Sequence, residues 1–248
     1  MDKNASLPYN DGDEGGRAVE EKEKWKYAWR VPLTVGRAFL KWVALALLVG
    51  IVVGAAGAGF HHTIDWVTAL REGHGWLIWL LPGAGVDIVA AYRLSGIYKD
   101  GGTEFVLEAA RDNRLLKFRA APLIFFSTAV THLAGGSAGR EGAALQLGGV
   151  LSGTMGRLFR LEERDERIMT MCGMAAGFSA VFGTPLTAAV FAMEVESVGV
   201  MCYAAIVPCV LAALAAQQVS LLFGIAPPFY ALLDVPGATA GSLIRVAA

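Results

Sequence analysis

From Ile168 to Met193 the chain carries no charged residue, yet Gly183-Thr184-Pro185 interrupts that run. A charge-free segment of this length belongs in lipid or in a deep core, and the break inside it narrows the choice. Backbone left unpaired in hydrocarbon costs several kcal/mol per group, so a broken helix at membrane depth survives only where it lines a cavity enclosed by protein. Thr184 as N-cap with Pro185 at the first helical position ends one short helix and starts another. The same alternation of apolar run and glycine or proline recurs along the chain. Leu40 to Phe60 is about the length of a spanning helix, with Gly50, Gly54 and Gly57 at helical spacing as a smooth packing face. Trp76 to Tyr92 returns the chain past Pro82 and an Asp87 that reads as buried. Ala120 to Ala134, Ala143 to Leu158 and a final run from Val200 to Phe223, containing Pro208, follow. The fold class expected is all-α, a polytopic membrane protein of broken and tilted helices.

Composition agrees with this. Of 248 residues 55% are apolar and 17% charged, and the mean hydropathy is +0.49. A net charge of -1 offers no basic surplus for nucleic acid. Cys172, Cys202 and Cys209 form no CxxC pair and sit in apolar runs, which argues for packing residues rather than a disulfide framework or a zinc site. No metal and no cofactor is expected. Residues 1–34 read as a polar N-terminal tail without the apolar core of a signal peptide, 35–233 as the membrane domain, and 234–248 as a Pro- and Gly-rich C-terminal tail at a truncation point. Lys22, Lys24, Lys26, Arg30, Arg37 and Lys41 cluster before the first apolar run, with Trp25, Tyr27 and Trp29 among them as interfacial rings. The positive-inside rule puts that end in the cytoplasm, and Arg111, Arg114, Lys117 and Arg119 mark a second cytoplasmic loop.

The chemistry concentrates where Ala120 to Ala134 runs into Gly135-Gly136-Ser137-Ala138-Gly139-Arg140-Glu141-Gly142, which places Arg140 and Glu141 deep inside a membrane region. Ionisable residues at that depth are functional by default. The glycines let the chain turn sharply and approach a ligand, while a helix beginning near Glu141 presents unpaired N–H groups at its positive end, a ready anion site. A carboxylate at that terminus occupies the place of a small anion when charged and leaves it when protonated. The plainer explanation is that Glu141 merely compensates the helix dipole and that the glycines serve packing. Arg140 reads as a structural residue whose salt bridge or carbonyl contact fixes the loop.

Residues Gly136 to Gly142, followed by Gln146 and Gly148-Gly149, resemble the Gly-Arg-Glu-Gly signature of the CLC family of chloride channels and proton-coupled halide antiporters. Phe182-Gly183-Thr184-Pro185-Leu186, running on to Glu194, is similar to that family's second motif. Thr131-His132-Leu133 and Tyr203 to Cys209 look most like its bacterial fluoride-exporting branch. The resemblance implies transport of chloride or fluoride with protons, not enzymatic catalysis, by a homodimer in the lipid of a bacterial-type plasma membrane. It implies that Glu141 is the gating and proton-transfer residue. It also implies that Gly139, Arg140, Gly142, Phe182, Gly183 and Thr184 bind the anion, together with a third segment placed at Gly101, Gly102 and Thr103. Ala143 stands where the family often has proline, and the second, intracellular-side glutamate of chloride–proton exchangers falls near Val195, between Glu194 and Glu196. The resemblance covers about residues 35 to 233, the first of the family's two inverted repeats, so the expectation is a fragment or a protein whose partner supplies the second half.

Two rival patterns are weaker. Gly135-Gly136-Ser137-Ala138-Gly139 fits the serine-hydrolase elbow, but all four histidines precede Ser137 and a helix stands where the elbow needs a strand. The tandem His61-His62, read without a carboxylate at ligand spacing, belongs in a loop or at the interface. A non-transporting membrane scaffold is the remaining alternative.

Overall fold

The computed structural model describes residues 14–97, 117–196 and 202–225. Among them the α-helices are α1 Glu14–Gly73, α2 Leu81–Leu94, α3 Ala120–Leu133, α4 Arg140–Leu158, α5 Glu163–Phe182, α6 Pro185–Glu196 and α7 Ile206–Leu222, with 3-10 turns at Gly75–Leu80 and Tyr203–Ala205 and no strand. The chain is all-α, as expected. It divides into two units, Met1–Leu45 and Ala46–Ala248. In the first, helix begins at Glu14, inside the stretch that composition assigns to a tail, because Glu20 to Lys24 are all helix-favouring residues.

α1 runs on from Ala46 in the second unit, which also holds every later helix. Gly36–Gly73, Gly75–Leu94 and Tyr203–Leu222 are long and apolar enough to cross a membrane. Along α1 the buried residues Ala46, Val49, Val53, Gly57, Phe60, Ile64 and Val67 recur at three- and four-residue steps, the signature of one helix face turned inward. The opposite face is equally apolar, since Leu47, Leu48, Ile51, Val52 and Trp66 are exposed. In water such a surface drives association, whereas in lipid it is the ordinary exterior.

Because lipid is as apolar as leucine, helices here gain by close approach of small residues. A methyl group on Gly54 of α1 would stand 2.8 Å from the Cα of Ala216 on α7, and one on Gly57 would stand 2.7 Å from the Cβ of Ala180 on α5. The tightest seam joins α4 to α5, where a methyl on Gly148 would collide with the carbonyl of Gly173 and one on Gly177 with the carbonyl of Ala144. α5 is buried on every side from Ile168 to Gly177, as befits the central helix between α4 on one flank and α6 and α7 on the other.

Proline explains two boundaries. Pro82 opens α2 rather than kinking it, since the first turn needs no N–H from that position. Pro208 lies in the first turn of α7 for the same reason. The break inside the charge-free run falls at the predicted place: α5 ends at Phe182, Gly183 takes the left-handed conformation at φ 67°, and Pro185 starts α6. Asp87 is a correction: it is exposed, although Ala84 one turn earlier on the same face of α2 is buried, because the two border an open cavity with Val130 and Leu133 of α3.

Candidate functional site

α3 stops because Gly135 adopts φ 80°, a conformation that costs a residue with a side chain about 1 kcal/mol or more. The Gly135 N–H then donates to the carbonyl of His132 (3.1 Å) and the Gly136 N–H to that of Thr131 (2.8 Å), closing the end of the helix. A four-residue passage, Gly136 to Gly139, leads into α4. Gly139 is the N-cap and supplies no side chain to the first turn, so the N–H groups of that turn stand open.

Glu141 occupies this first turn, is exposed, and makes no ion pair or hydrogen bond among the described residues. Gly142 is half-buried, and every residue from Ala143 to Val150 is buried. The open turn therefore stands at the boundary of the packed interior. Arg140 points the other way: its Nη1 donates to Oδ1 of Asp65 on α1 at 3.0 Å. The second oxygen of Asp65 lies 3.1 Å from Nε2 of His61, one turn earlier on the same helix.

The antiparallel register of α4 and α5 sets Ala144 beside Gly177 and Gly156 beside Glu166. The beginning of α4 is therefore level with the end of α5, so Gly139, Arg140, Glu141 and Gly142 share one end of the bundle with Phe182, Gly183 and Thr184. Phe182 stacks on Phe178 with ring centroids 4.6 Å apart, and Phe178 meets Phe191 of α6 at 5.5 Å. The Gly183 carbonyl accepts a 3.0 Å hydrogen bond from Nε2 of Gln217 on α7. Ser179 donates to the Ala213 carbonyl and Ser220 to the Ala180 carbonyl, so α7 holds the end of α5 through polar bonds as well as packing. Gly101 and Gly102 lie outside the described residues.

Gln217→Leu is therefore expected to lower stability by about 1 kcal/mol, the usual worth of a neutral hydrogen bond inside a membrane bundle. Thermal unfolding in detergent measures it, and an unchanged midpoint would show that Gly183 is held by its helix end alone.

Asp65 and Gln217 do not stand out in the sequence as site residues. The available signals are faint: a His-x-x-x-Asp step in an apolar helix, and an amide in a run of alanines. His61 and His62 correct the expectation of a loop without a neighbouring carboxylate. Both lie within α1, His61 is paired with Asp65, and His62 Nε2 donates to the Phe223 carbonyl at 2.9 Å. Among the described residues no group of three His, Cys, Asp or Glu could hold a metal. Ser137 lies exposed in a loop between two helices, which is not the strand-to-helix elbow of a hydrolase.

A chloride/fluoride channel protein of Pseudomonas syringae pv. tomato is 41% identical over 209 residues, which make up 84% of this chain and 46% of that relative. An H(+)/Cl(-) exchange transporter, ClcA of Cronobacter sakazakii, is 31% identical over 182 residues, 66% of this chain and 37% of that one. The crystal structure of a CLC-type fluoride/proton antiporter superposes with a TM-score of 0.76 at 31% identity, covering 84% of this chain and 53% of that one. A slow cyanobacterial Cl-/H+ antiporter shares the fold at a TM-score of 0.64 and 20% identity, covering 82% of this chain and 52% of that one. The chain spans about half the length of the relatives it matches. Residues 88–247 match one family description, voltage gated chloride channel, and both the Gly-Arg-Glu-Gly turn and the Phe-Gly-Thr-Pro break fall inside that match. With fold and sequence in agreement over this stretch, the chain is an integral membrane protein that belongs to the voltage gated chloride channel family, the CLC family.

Proposed function

We propose that this chain carries small halide anions, chloride or fluoride, across the membrane along a pathway gated by Glu141, with protons moving through the same carboxylate. The observation that carries the reading is an exposed glutamate, without an ion pair or hydrogen bond among the described residues, in the first turn of a helix whose leading N–H groups have no side-chain cap. A compact anion entering from water loses hydration, and open N–H groups replace it. The charged Glu141 carboxylate competes for those donors. When it takes up a proton it loses that competition, releases the donors and admits the anion, so one residue couples two ions.

Gly139, Arg140 and Gly142 line the site in this reading, with Phe182, Gly183 and Thr184 at the same end of the bundle and Gly101 and Gly102 as the third segment. Arg140 acts there through its backbone, its guanidinium being engaged by Asp65. The protein works as a homodimer in the plasma membrane with its basic N-terminal segment on the cytoplasmic side. The relatives, a chloride/fluoride channel protein and a CLC-type fluoride/proton antiporter, support the choice of ion.

Halide efflux from liposomes holding the purified chain, read with fluoride and chloride electrodes, tests this. Efflux of either halide above protein-free vesicles is the result expected. The share of the relatives' length that this chain spans favours a second reading, a scaffold that transports nothing alone. Inserted, helical protein without flux would decide for the second.

A further inference from the structure

We propose that Asp65 is a positioning residue for the signature loop: from α1 it engages the Arg140 guanidinium, and so fixes the start of α4 and leaves the neighbouring Glu141 without an ionic partner. The second half of that statement rests on the reading of Glu141 as the gate.

Three observations carry it. The Asp65 carboxylate is divided between two partners, Nη1 of Arg140 at 3.0 Å and Nε2 of His61 at 3.1 Å. His61 lies one turn back on the same helix, and its contact favours the Asp65 orientation that meets Arg140. Arg140 is 75 residues away in the chain and is the first residue of α4, so the pair joins α1 directly to the point where the loop becomes helix. Arg71, also on α1, lies against the turn at Gly135, so both ends of the passage from Gly135 to Arg140 touch the same helix.

The consequence for Glu141 follows from electrostatics. Arg140 and Glu141 are consecutive at an open helix terminus; their side chains leave the helix in different directions, but a long guanidinium freed from Asp65 can turn toward the neighbouring carboxylate. That pairing would hold a mobile carboxylate in place. Asp65 removes the competitor. The side chains of the pair are 32% and 51% exposed, so its effect is modest rather than dominant.

Hydrogen–deuterium exchange on the full chain in detergent, followed in peptides covering residues 135–150, whose bonded amides at Gly135, Gly136 and from Ala143 onward can lose protection, tests the positioning without any need for flux. In Asp65→Asn these amides exchange about fivefold faster than in the wild type, the ratio that one partly exposed ion pair supports. Asp65→Glu, which keeps the carboxylate, returns them to wild-type protection. Equal exchange in the wild type and Asp65→Asn overturns the proposal, and so does failure of Asp65→Glu to restore protection. Should Asp65→Asn not remain monodisperse, Arg140→Gln breaks the same pair from the loop side and carries the same expectation. In liposomes Asp65→Asn slows halide efflux about fivefold and Asp65→Glu recovers it. A wild type without efflux withdraws the gating reading, while the exchange comparison still decides whether Asp65 holds the loop.

Discussion

In liposomes holding the Glu141→Gln variant, proton movement coupled to halide efflux falls at least about a hundredfold, the scale on which a positioned proton-transfer group contributes. Glutamine keeps the size and shape of glutamate but carries neither its charge nor its proton. Two results should therefore separate. Halide moves without protons, because the neutral amide does not compete for the open N–H groups of the α4 terminus as a carboxylate does. The rate also stops responding to pH. In the wild type, efflux rises as the medium is acidified, since protonation removes the competing charge, whereas the variant is held in the neutral state throughout. Efflux electrodes together with a pH indicator inside the vesicles read both. A variant that still moves protons in step with halide would remove Glu141 from the pathway, and the exposed, unpartnered position of this side chain would then be simple dipole compensation.

A larger structural effect is expected at Gly173. A methyl group there would overlap the Ser152 side chain and the Gly148 carbonyl. Ser152 cannot readily yield, being fully buried with its hydroxyl donating to the Gly148 carbonyl of its own helix. The helices must separate instead, and in a membrane their contact is the main source of association energy. Gly173→Ala should cost about 3 kcal/mol, and Gly173→Leu should yield no monodisperse protein. Gly59 supplies the control, since nothing lies within 4 Å of where its Cβ would be. Gly59→Ala should be neutral or stabilising by up to about 1 kcal/mol through helix propensity alone. Size-exclusion profiles and thermal unfolding of the three variants side by side check this. Equal behaviour of Gly173→Ala and Gly59→Ala would mean that α4 and α5 are not held at this seam.

The two glycines look alike in the sequence, and that marks the limit of pattern reading in this chain. Helix breaks are local chemistry, so Gly183-Thr184-Pro185 announces the end of α5 and the start of α6 to the residue. The start of α4 at Arg140 follows from the Gly135 to Gly142 passage in the same way, and with it the place of Glu141 in an open first turn. Asp87 and the histidines show the other case. An aspartate within an apolar run reads as buried, yet Asp87 is exposed, and His61 reads as a loop or interfacial residue until α1 continues through it and sets Asp65 one turn away.

Local sequence thus determines the membrane class, the helix breaks and the composition of the anion-site candidate, because each depends on residues within a few positions of one another. Tertiary structure decides which elements meet. α1 is apolar on both sides, so hydropathy does not orient it; Gly50, Gly54 and Gly57 mark its packing face in the sequence, and the structure supplies the partners, Ala216 against Gly54 and Ala180 against Gly57. The same packing brings Arg140 to Asp65 and Gly183 to Gln217, pairings between distant positions that no local periodicity encodes.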